Sequence, residues 1–243
     1  MSLQGKVAII TGAGRGIGRA TAIHFAANGA MVALAARNEE QINQVAEEIA
    51  EMDGVALAVP TDVTVEAQVQ NLVGTTESRL GPVDILVNDA GVMILRPIAE
   101  TSLDEWNRMI NTNLLGAFLC SRAVLPSMMK RRTGRIINIG SLAGRRGYPD
   151  QGAYCASKHG VYGLSKVLAI EGQPYGIRVN VVSPGGVLTE LSEELLSTRS
   201  PSEAAEWMTP EEVAAAVYYI ATQDGPATTD ELVLRRFASE PWR

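Results

Sequence analysis

Tyr154 and Lys158 stand four residues apart in the segment Gly152-Ala153-Tyr154-Cys155-Ala156-Ser157-Lys158. Four residues is just over one helical turn, so a phenol and an ammonium share one helix face. A free phenol is a poor acid at neutral pH, with a pKa near 10. A cation about 4 Å away, at an effective dielectric of about 20, favours the phenolate by about 4 kcal/mol, which lowers the pKa by roughly three. A tyrosine so tuned exchanges a proton with a substrate oxygen at physiological pH. The same spacing also occurs on ordinary surface helices, so its weight depends on what surrounds it.

Three further features surround it. Lys6-Val7-Ala8-Ile9-Ile10-Thr11 reads as a short buried strand, followed at once by Gly12-Ala13-Gly14-Arg15-Gly16-Ile17-Gly18 and then by a helical pattern ended at Asn28-Gly29. In a strand, glycine turn and helix of this kind the backbone approaches a pyrophosphate and the helix amides point at it. The glycines are spaced G-x-x-x-G-x-G on Gly12, Gly16 and Gly18. Asn88-Asp89-Ala90-Gly91 follows the apolar run Val83–Val87, and Ser141 closes the run Arg135–Gly140, thirteen residues before Tyr154. Both lie at the carboxyl ends of expected strands, where open α/β sheets bind ligands.

Taken together, these residues resemble the short-chain dehydrogenase/reductase family. The resemblance runs from Gly5 to about Thr189 and rests on T-G-x-x-x-G-I-G, N-x-A-G, N-L-x-G, the serine, Y-x-x-x-K and P-G-x-x-x-T, in order. It implies a doubly wound Rossmann fold with a seven-stranded parallel sheet in the order 3-2-1-4-5-6-7. It also implies a nicotinamide cofactor and hydride transfer to a carbonyl, in the manner of a 3-oxoacyl reductase, another ketone reductase or a 3-hydroxy-acid enzyme. Asp89 departs from the family, which more often has a second Asn there; the expected role of that position is to support the sheet. The carboxyl end, Thr228-Thr229-Asp230-Glu231-Leu232-Val233-Leu234-Arg235-Arg236, lacks the glycine pair of many bacterial members.

The second expected strand ends at Ala36, followed by Arg37, nineteen residues past Gly18. An NAD enzyme holds the ribose 2′-hydroxyl with a carboxylate near this point. A guanidinium here instead grips a 2′-phosphate through paired hydrogen bonds, and Arg15 in the glycine turn offers a second cation. NADP(H) is therefore the expected cofactor. The resemblance further implies that Asp62 and Val63 meet the adenine, and that Asn88, Ala90 and Gly91 line the ribose. Pro184, Gly185, Val187 and Thr189 would then hold the nicotinamide. Ser141 would bind the carbonyl oxygen, Tyr154 donate the proton, and Lys158 tune Tyr154 and bind the ribose. Asn113, at the edge of an apolar helix stripe (Trp106, Ile110, Leu114, Ala117, Phe118, Leu125), would order a water beside Lys158.

The elements that must position these groups alternate along the chain. Strands are expected near 6–11, 31–36, 55–60, 83–88, 134–140, 176–182 and 230–234. Helices are expected near 16–28, 39–52, 65–80, 104–130, 152–173 and 210–222. Such alternation gives a parallel sheet covered on both faces. The length of 243 residues suits one domain over 1–243, with a substrate lid over 185–209. The substrate pocket is expected from 92–96, 142–151 and 185–208, with Leu95, Leu142, Tyr148, Leu191 and Leu195 as its apolar part. Arg145 and Arg146 read as solvated loop charge.

A net charge of −6 argues against nucleic acid. No apolar run approaches the roughly 18 residues of a membrane span, and the first residues do not read as a signal peptide. His24, His159, Cys120 and Cys155 have no metal-ligand spacing, so no metal is expected and a reducing cytoplasm is the expected home. Ala156, Gly160 and Gly163 give one helix a small-residue face that fits the homodimers and homotetramers implied by the family. The expected partner is a small carbonyl or alcohol substrate. The competing reading is a regulatory or scaffold protein on the same fold; such members usually lose the Tyr or Lys retained here.

Overall fold

The computed structural model describes residues 2–197, 200, 203 and 206–241. Positions 198, 199, 201, 202, 204 and 205 of the expected lid lie outside the described residues, as do the chain's first residue and last two.

Seven parallel strands form one sheet in the order β3-β2-β1-β4-β5-β6-β7, as the resemblance implied. The strands are β1 (Val7–Thr11), β2 (Met31–Ala36), β3 (Val55–Pro60), β4 (Ile85–Asn88), β5 (Gly134–Ile139), β6 (Ile177–Pro184) and β7 (Glu231–Leu234). The helices are α1 (Gly16–Ala27), α2 (Glu39–Glu51), α3 (Glu66–Arg79), α4 (Leu103–Ile110), α5 (Gly116–Arg131), α6 (Gly152–Gly172), the single turn α7 (Glu193–Leu196) and α8 (Pro210–Ala221).

The central strands are apolar on both faces because both are covered. Every residue of β1 is buried. Ile10, Leu34 and Val87 face a layer with Phe25 and Ile42 from α1 and α2 and Val217 from α8. Ile9, Leu86 and Ile136 face the opposite layer, with Leu72 from α3, Val124 from α5 and Leu168 from α6. Each such side chain contributes about 1.5–3 kcal/mol by leaving water. Helix starts are marked locally: Ser102 with Glu105, and Thr209 with Glu212, form capping boxes at α4 and α8, and Pro210 opens α8.

One expected helix differs. The stretch 104–130 is helical throughout, but a π-helical turn, Asn111–Leu115, joins α4 to α5. Widened turns of this kind interrupt the α ladder and are frequent at functional sites. The apolar stripe expected across this stretch is only partly internal. Ala117 is buried, whereas Trp106 and Phe118 stand at the surface, 37% and 38% exposed.

The strand order reverses between β1 and β4, which pair directly with each other. A crevice opens at the carboxyl ends of the strands at such a point. β5 and β6 end on the same side, so the segments after β1, β4, β5 and β6 converge there.

Candidate active site

The floor of the crevice is the turn from β1 into α1. Gly12 and Gly16 adopt φ of +70° and +53°, a region that L side chains avoid. Gly18 is needed for closeness instead. A β-carbon there would collide with the Gly12 carbonyl and lie 2.8 Å from Asp89 Oδ2. Thr11 Oγ1 accepts from the amides of Asp89 (3.0 Å) and Ala90 (3.1 Å), which fixes the segment after β4 against the glycine turn. Thr11 was present in the sequence motif but had no site role assigned; the structure supplies one.

Asn88 departs from expectation. Its amide nitrogen is committed within the fold. It is buried and donates to Ser121 Oγ (3.2 Å) and Asn138 Oδ1 (2.8 Å), tying β4 to α5 and β5. Asn138 in turn donates to Ser165 Oγ on α6 (2.8 Å). Sheet support therefore falls to Asn88, and Asp89, expected to support the sheet, instead faces the crevice. As a residue Asp89 is half-buried, but its carboxyl is desolvated between the Gly18 amide and Lys158. Burial pushes it up to about 7, against the opposing pull of Lys158 and the Gly18 amide. Ala90 and Gly91 are partly exposed in the same wall.

Above this floor, α6 presents Tyr154 and Lys158 toward the end of β5, both buried. The four-residue spacing does put them on one face, with Lys158 Nζ 5.8 Å from the Tyr154 ring centroid. Ser141 lies within hydrogen-bond reach of the phenol, and its Oγ also accepts from the Ala143 amide (3.1 Å). The expected acidity of Tyr154 is not present in this state. Burial raises its pKa to about 12, the Ser141 hydrogen bond only partly opposing it, and the Asp89 and Cys155 charges raise it further. Lys158 is engaged elsewhere: its ammonium donates to the Ile139 carbonyl (2.8 Å). Burial lowers its own pKa to about 8, with Asp89 acting the other way. A tyrosine on an open helix surface escapes this desolvation; here it sets the direction, and Lys158 is not among the groups that shift the phenol.

Asn113 sits in the π turn, buried. Its Oδ1 accepts from the Val92 amide (2.8 Å), and its Nδ2 donates to the Val92 carbonyl (2.9 Å) and to Ser157 Oγ on α6 (2.9 Å). The side chain therefore clamps the loop after Gly91 to α6, with both amide hydrogens committed and one Oδ1 lone pair left to accept from a water. The water expected at Asn113 also has a place. A cavity of about 10 Å³ lies between Thr11, Asn88, Asn113, Ile139, Lys158 and Val161, close to the smallest space that holds one water.

The outer half of the crevice is a cleft of about 570 Å³ whose lining includes Gly14, Arg15, Gly16, Gln41, Thr189 and Glu190. Arg15 and Arg37 are exposed, and neither has an ionic partner among the described residues. Arg19, by contrast, forms a two-pronged pair with Glu48 (2.8 and 2.7 Å). Ile17 is half-buried at the first turn of α1. Val63 is buried against Gly116. Asp62 Oδ1 is already taken up by the Thr64 amide (2.9 Å) and hydroxyl (2.7 Å). Only its second oxygen remains for an adenine amine.

Pro184 ends β6, and the Gly185 amide donates to Leu234 of β7 (2.8 Å). Val187 is buried. The Leu188 and Met208 amides donate to Met208 (2.8 Å) and Gly186 (3.1 Å) respectively, which closes the base of the 185–209 segment. Thr189 reaches across to the glycine turn, its Cγ2 3.2 Å from a β-carbon built on Gly16.

A network that the sequence did not reveal joins these segments. The Tyr162 hydroxyl, one turn beyond Lys158, bonds both Ser183 of β6 and Glu231 of β7. Glu231 also pairs with Arg145 (3.7 Å), so that arginine is not simply solvated. Four separated single residues carry no spacing signal. Gly160 of the small-residue face packs within the chain against Leu114, while Gly163 faces open space. Among the described residues there is no cluster of three or more metal-ligating side chains.

Comparison with known proteins shows the family and the fold. The family model described as short chain dehydrogenase matches residues 6–200. The 3-oxoacyl-[acyl-carrier-protein] reductase of Synechocystis is 38% identical over 229 residues, covering 93% of each chain. A short-chain type dehydrogenase/reductase from Mycobacterium marinum superposes with a TM-score of 0.89 at 35% identity, covering 96% of this chain and 95% of that one. A Beutenbergia cavernae protein assigned as an NAD(P)-dependent gluconate 5-dehydrogenase, with NADP bound at low occupancy, gives 0.85 at 35% identity and covers 96% of both chains.

Proposed function

Because this chain belongs to the short-chain dehydrogenase family, we propose that it is an NADP(H)-dependent oxidoreductase of the cytoplasm. It interconverts a ketone or aldehyde and the corresponding alcohol, with cofactor and substrate held by one domain. The observation that carries this reading is the convergence of Tyr154, Ser141 and Lys158 on the crevice floored by the glycine turn.

The residues present suit the cofactor. The turn has the two positive-φ glycines and the bare Gly18 that let a diphosphate approach amides at the start of α1. Arg15 and Arg37 supply cations without committed partners among the described residues, which favours a 2′-phosphate over a plain ribose. Val63 and Asp62 border the adenine end. Ala90, Gly91, Pro184, Gly185, Val187 and Thr189 border the nicotinamide end. The bound dinucleotide supplies or takes up the hydride.

In reduction, Ser141 donates a hydrogen bond to the carbonyl oxygen and Tyr154 transfers its proton there. A phenol held near 12 is fully protonated at neutral pH, the form a general acid requires. Release of the Lys158 ammonium from Ile139 toward a ribose hydroxyl would draw the phenol down as the alkoxide forms. Asn113 keeps α6 and the 91–92 loop in register. The cavity between Asn113 and Lys158 holds the water that returns the proton. The exposed apolar residues Leu103, Phe118, Val167 and Ile170 on α4, α5 and α6 are covered in a homodimer or homotetramer.

A panel of ketones, 3-oxoacyl thioesters and hydroxy acids, each offered with NADPH or NADP+, tests the reading. Cofactor turnover with at least one class is expected; no turnover and no NADP(H) binding would overturn it. Arg37→Asp should reverse the preference for NADP(H) over NAD(H), and unchanged selectivity would remove Arg37 from its role.

A further inference from the structure

We infer that Tyr162 and Glu231 are positioning residues that hold Ser141 in place for the carbonyl oxygen. The inference deepens the reading above and rests on the role given there to Ser141. Ser141 leaves β5 in extended backbone and opens a single 3₁₀ turn, Leu142–Gly144, so its hydroxyl is only as fixed as that turn. Within the turn, the Ser141 carbonyl accepts from the Gly144 amide (2.9 Å) and the Leu142 carbonyl from the Arg145 amide (3.0 Å). From outside, the turn rests on the Tyr162 ring, which lies against Gly140 and Gly144, one on each side of Ser141. A β-carbon on Gly140 would stand 3.3 Å from Tyr162 Cε2 and 2.8 Å from Ser183 Oγ, and one on Gly144 would collide with the same ring edge.

The ring is anchored at its tip. A phenol has one proton to give, and a carboxylate can only accept. Tyr162 therefore donates to Glu231 Oε1, and Ser183 Oγ donates to the phenol oxygen. Ser183 is buried in β6 and Glu231 stands on β7, so the tip is tied to two strands. Burial, and then the bond to Glu231, push the Tyr162 phenol up, which keeps it a donor through the neutral range. Arg145, the residue after the turn, reaches the same Glu231 oxygen at 3.7 Å. That pair is long and partly exposed, so it adds little. The bond between phenol and carboxylate is the stronger tie, because one partner is charged. Without the hydroxyl the ring can slide under the turn, and a shift of about 1 Å at a reacting site can cost on the order of a hundredfold in rate.

The test is single-turnover oxidation of NADPH at excess protein, with the carbonyl compound turned over fastest in the panel above, and with NADPH affinity measured on the same preparations. Tyr162→Phe keeps the ring and removes its anchor; it should lower the rate about tenfold and leave NADPH affinity within about twofold. Glu231→Leu should lower the rate to a similar extent, whereas Glu231→Gln, which keeps an acceptor for the phenol, should stay within about twofold of the parent. In a Ser141→Ala background the loss from Tyr162→Phe should shrink to less than about twofold, because groups acting through one another are not additive. A parent rate retained in Tyr162→Phe, equal losses in Glu231→Leu and Glu231→Gln, or a loss repeated in full without the Ser141 hydroxyl would overturn the inference and leave the oxidoreductase reading standing. Absence of turnover in the unaltered protein would overturn that reading and this inference with it.

Discussion

At the residue scale, the chemistry is decided by a contest between burial and charge. The sequence places Tyr154 and Lys158 on one helix face, and the structure confirms the face. It does not show how deeply α6 is covered, and the desolvation that follows holds the phenol near 12 rather than near 7. The pH dependence follows from that direction. A group raised in the free protein stays protonated to high pH, so the general acid for reduction is present throughout the neutral range. The base for oxidation is scarce there. The kcat/KM for alcohol oxidation, which reports the free protein, should climb continuously from pH 7 to 10. A plateau already reached at pH 7 would show that Lys158 lowers the phenol before any ligand arrives. Asn88 and Asp89 teach the complementary lesson. Adjacent in sequence, Asn88 closes β4 and bonds within the sheet, whereas Asp89 lies just past the strand and meets Gly18. The motif marks the pair, but not which member serves the sheet.

At the element scale, most boundaries were legible. β2 and β3 lie where apolar runs and flanking turn residues put them, at 31–36 and 55–60, and α6 ends one residue before its expected position. The π turn was not legible, because its residues fit an α-helical pattern equally well and only the clamp to Val92 and Ser157 distinguishes it. Asn113→Ala removes three hydrogen bonds, one buried and two partly buried, and leaves the Val92 groups unpaired. It should cost about 2–4 kcal/mol in chemical denaturation and depress kcat more than NADPH affinity. Stability within 0.5 kcal/mol of the parent, on the order of a neutral surface change, would contradict the clamp. Gly18→Ala tests the glycine turn in the same way. Its β-carbon has no room beside the Gly12 carbonyl, so NADPH affinity should fall at least about tenfold, or about 1.4 kcal/mol. Retained affinity would contradict the close approach.

At the scale of the whole molecule, the parallel order 3-2-1-4-5-6-7 brings four distant segments to one edge, and motif order along the chain was enough to expect it. The apolar surface could not be read the same way. Trp106 and Phe118 satisfy the buried periodicity of a helix yet lie outside, and the pattern of a core is also what the proposed subunit interface would follow. Paired Phe118→Asp and Ile170→Asp substitutions should convert an assembly of 25.9 kDa chains into single chains on light scattering; an unchanged mass would place the interface elsewhere. On the proposed reading the topology also separates two duties, with the dinucleotide held chiefly at the ends of β1 and β4 and the proton carried by α6. Tyr154→Phe tests that separation most directly, with NADPH affinity and carbonyl-dependent NADPH oxidation measured on the same preparation. The account predicts affinity within about twofold of the parent and turnover lowered by at least about a thousandfold, within the usual span of acid–base catalysis. Turnover persisting at more than about a tenth of the parent rate would contradict it.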